Sequence, residues 1–516
     1  TAAFNRDWHR WAQFSLERSA AFDVDSLEKT RPIEYPVNSP ADAAGMFALL
    51  TYEKGGSVLR MLEQYLGEER FRDGIRYYLN KYKYANTETG DLWDAIEKVT
   101  GEPSRRIMDS WIFQQGFPVI SVSTSGDGSK LVLSQRRFRY TPVESGKVPL
   151  WSVPIMLRFS AGGKTSELRQ LLEETVIEVD MGAPADWVVV NTGGNGFYRV
   201  EYIPALLQKL TLRMMEILEP IDRYGLVDDT WASVLSGGTS AVDFLEFAKG
   251  FGNEEDLDVW TVLSGCLNRL DRLLTGEAGK RYQRLLRKIY KPVFDRVSWH
   301  PGKEDSPRML ELRGLLIKML ASTAKDLDAI FRSRKLHDAY LEDSSSVDPN
   351  VAAAVAAAVA SDGTSDDYEI FFNRFKNADT PQEERRYQSL LAGFPGISEM
   401  DRTLDMTLNG EVRTQDAPYL VANCMMNRDH GQRAWEFVRD RWEDMLEIYP
   451  DNAIVWMLGG VKSLSTRETA DEIKAFFKVH KVPQGELTLE QHLEKLWVNV
   501  GLREREAELL TAALLE

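Results

Sequence analysis

ISVSTSGDGSKLVLSQ, residues 120–135, is the stretch at which the period of the sequence changes from helical to extended. Apolar and polar residues alternate on both sides of Gly126-Asp127-Gly128, and this pattern predicts a β-hairpin. Further strand candidates follow before residue 205, with turns between them and no long helical segment. Residues 118–205 therefore predict a small β-sandwich. The further strand candidates are VPLWSVPIMLRF, ETVIEVD, WVVVN and GFYRVEY.

The residues before this hairpin follow a helical period. In VLRMLEQYL, Leu59, Leu62 and Leu66 recur at spacings of three and four, which predicts a helix with one apolar face. Two more helices are predicted in FRDGIRYYLNKY and in DLWDAIEKVTG, the second ending at Gly101. Residues 1–117 are therefore expected to form a helical unit.

After residue 205 the helical period continues to the end of the chain, as in ALLQKLTLRMMEIL and DSPRMLELRGLLIKML. A succession of amphipathic helices joined by short polar loops predicts an α-solenoid of the ARM/HEAT type over residues 206–516. The run VAAAVAAAVA at residues 351–360 could be low-complexity sequence. Because alanine favours helices and is small, we interpret it as a closely packed inner helix. The expected fold is thus multidomain and mainly α, with one β-sandwich.

Charge and composition exclude several classes of partner. The chain has 63 Lys+Arg against 79 Asp+Glu, a net charge of −16, which argues against nucleic acid or an anionic membrane as the main partner. No stretch approaches the roughly 18 apolar residues of a membrane span, and the first residues lack the layout of a signal peptide. The two cysteines, Cys266 and Cys424, are far apart, which favours a reducing compartment, and a cytoplasmic location is expected.

The sequence contains no recognisable metal or nucleotide motif. No HExxH or HxxxH pair is present, so no metal ligand and no cofactor-binding residue is predicted. A GxSxG elbow, a P-loop and a dinucleotide-binding glycine fingerprint are absent as well. Each histidine is expected to be structural or to face solvent. The histidines are His9, His300, His337, His430, His480 and His492.

Several segments carry a family resemblance. TYEKGGSVLRMLEQYLGEERFRDGIRYYL begins at Thr51, RPIEYPVNSPAD precedes it, and WIFQQGFP ends at Pro118. NGFYRV at residues 195–200 and AWEFVRDRW at residues 434–442 follow in the expected order. Together these segments resemble the aminopeptidase N-like zinc metallopeptidases, the gluzincin aminopeptidases, and the likeness covers nearly the whole chain.

The resemblance implies a function for Tyr52. Read without it, a tyrosine at the start of a helix is usually a packing residue. In the family, the Tyr-Glu-Lys-Gly sequence holds a catalytic tyrosine whose hydroxyl stabilises the oxyanion of the tetrahedral intermediate. Tyr52 is therefore predicted to be the catalytic residue of this chain, acting on peptides with free N-termini.

The resemblance also implies what this chain lacks. The family's zinc ligands, its HExxH glutamate and its α-amine-binding glutamate belong to segments that would precede Thr1. Residues 1–117 then correspond to the C-terminal helical part of a thermolysin-like catalytic domain. The chain alone is expected to be inactive, with the N-terminal portion of the same protein as its partner. The alternative is a noncatalytic scaffold of the same architecture, and the sequence upstream of Thr1 distinguishes the two.

Overall fold

The computed structural model describes residues 4, 8, 10–38, 49–141 and 149–516. The chain forms two compact units, Thr1–Ser236 and Gly237–Glu516. Most described residues are helical, and the strands are confined to the first unit. The multidomain, mainly α class predicted from the sequence is confirmed. Among the residues that the model describes, no helix is long and apolar enough to cross a membrane.

Among the described residues before residue 117, the first unit contains five α-helices and one π-helical turn. The turn spans Leu50–Lys54 and leads directly into α2. The helix predicted from Leu59, Leu62 and Leu66 corresponds to α2, and the one predicted to end at Gly101 is α4, capped by Gly101 in the left-handed conformation. The helices are α1 (Arg10–Asp25), α2 (Gly55–Leu66), α3 (Glu68–Lys81), α4 (Thr89–Thr100) and α5 (Ser104–Ile112).

Seven strands follow in residues 118–141 and 149–202, and the predicted hairpin is confirmed. β1 and β2 pair in antiparallel register from Pro118 opposite Arg137 to Ser125 opposite Lys130. The strands form a four-stranded sheet in the order β5-β2-β1-β7, in which β1 and β7 are parallel, and a three-stranded sheet in the order β4-β3-β6. Their bounds are β1 (Pro118–Ser125), β2 (Lys130–Arg137), β3 (Val153–Ala161), β4 (Lys164–Leu172), β5 (Val176–Asp180), β6 (Ala185–Val190) and β7 (Arg199–Tyr202).

An aromatic cluster packs α1 against the segments on either side of the sheets. The Phe22 ring centroid lies 4.6 Å from that of Phe117 and 4.4 Å from that of Phe197, and all three rings are buried. Trp111, fully buried, contacts Phe197 with centroids 6.4 Å apart. Burial of large rings dominates the energetics of a core. This cluster therefore holds α1, the end of α5 and the start of β7 together.

Three further helices complete the first unit: α6 (Pro204–Thr211), α7 (Met214–Ile217) and α8 (Pro220–Ser236). α8 joins this unit through buried polar contacts. Arg199 donates to Asp228 at 2.8 Å and to Asp229 at 3.1 Å, and the Tyr224 hydroxyl donates to the Ser15 carbonyl at 3.0 Å. The predicted domain boundaries after residues 117 and 205 stay predictions.

In the second unit, the secondary-structure elements are all helices, joined by loops. The alanine-rich run forms α14, and its valines and most of its alanines are buried against α12 and α13. The prediction that this run forms a closely packed, buried helix is confirmed, and its place in a solenoid stays a prediction. The helices are α9 (Ala241–Ala248), α10 (Leu257–Asp271), α11 (Gly276–Val297), α12 (Pro307–Lys318), α13 (Leu327–Glu342), α14 (Pro349–Ala360), α15 (Ser365–Lys376), α16 (Pro381–Leu391), α17 (Ile397–Asp405), α18 (Ala417–Met425), α19 (Gly431–Asp440), α20 (Trp442–Ile448), α21 (Asp451–Met457), α22 (Arg467–Val479) and α23 (Glu486–Leu515).

Candidate functional site

Tyr52 lies on the π-helical turn Leu50–Lys54, where the amide of Gly55 donates to the carbonyl oxygen of Leu50. Its side chain is 57% exposed, so the ring is not enclosed in the core. π-Helical turns are rare and occur frequently at functional sites, because the extra residue changes the direction of the side chains around it. Residues 39–48, which precede the turn and include the end of RPIEYPVNSPAD, lie outside the described residues.

Lys54, two residues after Tyr52, is directed into the interior. Its side chain is 0% exposed, and its Nζ atom lies 2.9 Å from Oδ2 of Asp25, which is also 0% exposed. The same ammonium donates to the carbonyl oxygens of Gly116 at 3.0 Å and Gln114 at 3.3 Å. Residues two apart on a helical turn do not share a face. The turn therefore buries Lys54 while leaving Tyr52 exposed.

Asp25, the last residue of α1, completes a closed network with Lys54. Its Oδ1 atom accepts from the Thr30 hydroxyl at 2.6 Å and from the amide of Gly116 at 2.9 Å. Gly116 thus contacts both members of the ion pair. Burial lowers the pKa of the Lys54 ammonium, and the Asp25 carboxylate opposes that change. A buried ion pair of this kind requires such additional hydrogen bonds to offset desolvation.

Arg31 holds the other end of the π-helical turn. Its Nη2 atom donates to the hydroxyl of Thr51 at 3.1 Å, and its guanidinium carbon lies 4.8 Å from the centroid of the Tyr35 ring. Burial lowers the pKa of Arg31. The residue next to Tyr52 on its N-terminal side is therefore also tethered to the chain that follows α1.

The structure brings together segments that carry the family resemblance and lie far apart along the chain. The amide of Glu34 donates to the carbonyl of Ile112 at 3.1 Å, which joins RPIEY to WIFQQGFP. Lys54 Nζ lies 5.8 Å from the centroid of the Phe197 ring, which belongs to NGFYRV. Four of the five resembling segments thus meet behind the π-helical turn.

Asp25 is a residue that sequence reasoning missed. The acidic residues near the end of α1 have no distinguishing spacing, and neither does their distance from Tyr52 along the chain. Lys54 stands inside the quoted Tyr-Glu-Lys-Gly sequence, but lysine side chains are rarely fully buried, so the motif gave no indication of a buried ion pair.

No metal centre is found in the part of the chain that the model describes. Within residues 10–38, 49–141 and 149–516, no group of three or more His, Cys, Asp and Glu side chains could hold a metal ion. His337 and His492 are buried, and burial lowers their pKa values to about 4 and about 3. His9 lies outside the described residues. The residues around Tyr52 therefore do not fit a zinc site by themselves.

Two family models match the chain. The ERAP1-like C-terminal domain matches residues 187–496, and the peptidase family M1 domain matches residues 1–111. The first match covers more than half of the chain, and the second includes the π-helical turn with Tyr52.

Curated relatives match over almost the whole chain. Aminopeptidase M1 of Arabidopsis thaliana is 28% identical over 96% of this chain and 58% of its own length. Probable aminopeptidase 2 of Sulfurisphaera tokodaii is 31% identical over 96% of this chain and 60% of its length. The mitochondrial aminopeptidase 2 of Saccharomyces cerevisiae is 29% identical over 96% of this chain and 53% of its own length. This chain spans less than two thirds of each relative, and it belongs to the aminopeptidase N-like family of M1 peptidases.

Proposed function

We propose that the whole protein is a zinc-dependent aminopeptidase that releases N-terminal amino acids from peptides, and that this chain is its C-terminal portion. The match of residues 1–111 to the peptidase family M1 domain supports the reaction class, and so do relatives whose names describe aminopeptidases. In this proposal residues 1–117 complete a thermolysin-like catalytic domain, residues 118–205 form a β-sandwich and residues 206–516 form a helical solenoid.

Within this chain, Tyr52 is proposed to donate a hydrogen bond to the oxyanion of the tetrahedral intermediate. The observation that carries the proposal is the 57% exposure of Tyr52 on a turn whose neighbours, Thr51 and Lys54, are both tethered. A tyrosine hydroxyl is protonated at neutral pH and can donate a hydrogen bond as negative charge develops on the carbonyl oxygen.

Zinc dependence is proposed for the whole protein on family membership alone. The described residues hold no cluster that could ligate a metal, so no step of the reaction is assigned to zinc within this chain. The ligands and the general base are proposed to come from polypeptide outside these 516 residues. A cytoplasmic location is also a proposal, supported by the wide separation of Cys266 and Cys424 along the chain.

The test is the Tyr52→Phe variant of the full-length protein. Loss of one oxyanion donor is expected to lower kcat about 100- to 1,000-fold, and KM should change little. Tyr84→Phe serves as the matched control, because Tyr84 is 98% exposed in the same unit and belongs to no part of the proposed site. Steady-state kinetics on a peptide substrate would show near-normal turnover by Tyr52→Phe if the proposal is wrong. A full-length protein without any turnover would favour the noncatalytic scaffold.

A further inference from the structure

The ammonium of Lys54 is fully engaged in the interior. Its Nζ atom forms an ion pair with Oδ2 of Asp25 at 2.9 Å and donates hydrogen bonds to the Gly116 carbonyl at 3.0 Å and the Gln114 carbonyl at 3.3 Å. Three oxygens from two segments of the chain therefore surround the ammonium. Rotation of the π-helical turn about its axis would break these contacts together.

The carboxylate of Asp25 is similarly enclosed. Besides the ion pair, it accepts from the Thr30 hydroxyl at 2.6 Å and from the Gly116 amide at 2.9 Å. The network therefore joins the end of α1, residue 30, the π-helical turn and the segment before β1. Removing one partner of a buried pair leaves an uncompensated charge, so the network resists any partial displacement.

Stability alone does not explain an ion pair at this position. Replacing both members of a buried pair by residues of similar volume is often neutral or stabilising. Tyr52 is more than half exposed, so the packing of its own ring fixes its direction only in part. The direction of the phenol is therefore set mainly by the backbone of the turn, which Lys54 fastens from the opposite side.

We propose that Asp25 and Lys54 are positioning residues whose buried ion pair fixes the direction of the Tyr52 phenol. This inference rests on the proposed function of Tyr52. Neither residue touches substrate; both act through the π-helical turn Leu50–Lys54. Misplacement of a reacting group by about 1 Å can lower the rate about 100-fold. Loss of this ion pair is therefore expected to lower kcat and to leave KM nearly unchanged.

The experiment removes both charges in the full-length protein, as Asp25→Asn with Lys54→Met. The expected result is a fall in kcat of about 10- to 100-fold with KM within about twofold.

The matched control is Asp305→Asn with Arg313→Met in the second unit. Arg313 is also buried, pairs with Asp305, and donates to the carbonyls of Ser298 and Val297 at 3.1 and 3.0 Å. The control pair, whose Asp305 side chain is 24% exposed, should keep kcat, and thermal unfolding records the change in stability of both double variants.

The double variant Asp25→Asn with Lys54→Met, here called the pair variant, is then made in the Tyr52→Phe background. This separates the proposed positioning role of the ion pair from the proposed oxyanion role of Tyr52. If the pair acts through Tyr52, its effect on kcat disappears in that background, because residues that act as a unit are not additive. If Tyr52→Phe is slow and the double substitution of Asp25 and Lys54 still lowers kcat by the same factor in that background, the positioning role is overturned. The oxyanion role of Tyr52 is then left intact. A Tyr52→Phe enzyme with normal kcat overturns the oxyanion role instead.

A second readout does not depend on catalysis. With 3-fluorotyrosine at position 52, the fluorine resonance should shift or broaden in the pair variant and remain unchanged in the control pair. Should the pair variant fail to fold, Thr30→Val removes only the hydroxyl that Asp25 accepts from, and a smaller shift of the same resonance is expected. An unchanged resonance in the folded variant overturns the positioning role.

Discussion

Gly116 shows how much one residue contributes to the arrangement behind Tyr52. Its amide donates to Asp25 and its carbonyl accepts from Lys54, so its backbone closes the network. Its φ of +79° lies in the left-handed region that favours glycine. A Cβ atom at this position would lie 2.5 Å from Nε of Arg137. The backbone conformation therefore favours glycine, and a side chain at this position would require Arg137 to shift.

Gly116→Ala is expected to destabilise the chain more than Gly101→Ala does. Gly101 has a similar φ of +70°, but a Cβ atom there would meet nothing within 4 Å. The left-handed conformation costs about 1–2 kcal/mol in both variants. Overpacking against Arg137 should add about 1–3 kcal/mol in Gly116→Ala alone. Denaturant unfolding measures both free energies, and equal losses would show that Arg137 moves aside without cost.

At the scale of elements, helix α13 carries a histidine whose environment predicts a pH dependence. His337 is 3% exposed, its Nε2 atom lies 3.1 Å from the Tyr387 hydroxyl, and its ring centroid is 5.1 Å from that of Phe371. Burial lowers the pKa of His337 to about 4, below the ordinary value of about 6.5. The neutral imidazole is therefore the form that this packing accommodates.

The direction in which pH changes the folding stability depends on whether the folded or the unfolded chain protonates His337 at the higher pH. As the pH falls below about 6.5, the unfolded chain protonates its histidine while the folded chain does not. The stability contributed by neutral His337 is therefore complete above about 6.5 and is lost as the pH falls toward 4, up to about 3 kcal/mol. His337→Gln should reduce the slope of the unfolding free energy between pH 6.5 and 4.5. The exposed His300→Gln is the control, and equal slopes in both variants would assign the acid sensitivity elsewhere.

At the scale of the whole molecule, one prediction about activity follows from the family and from the fraction of each relative's length that this chain spans. The chain spans 58% of the Arabidopsis aminopeptidase and 60% of the Sulfurisphaera aminopeptidase, and no metal-binding group is found in its described residues. The purified 516-residue chain should therefore hydrolyse no peptide when zinc is added. Release of an N-terminal amino acid by this chain, abolished by a chelator, would contradict the proposal. The full-length protein under the same conditions is the positive control.

Local periodicity was sufficient for much of the architecture. The alternation around Gly126-Asp127-Gly128 predicted the β1–β2 hairpin, and the spacing of Leu59, Leu62 and Leu66 predicted α2. Both patterns depend on neighbours within a few residues, and the sequence contains that information directly. The motif around Tyr52 indicated the family for the same reason, since its residues are contiguous.

The sequence by itself determined the helical and extended segments, the family and the candidate residue Tyr52. Only the tertiary structure decided that Lys54 is buried, that Asp25 is its partner and that Gly116 joins them. Asp25 and Gly116 are 91 positions apart. No local period relates residues so distant, and charge alone places Lys54 in solvent. Folding brings them together because Phe22 of α1 and Phe117 before β1 pack with Phe197 in one aromatic cluster, and Lys54 Nζ lies 5.8 Å from the Phe197 centroid.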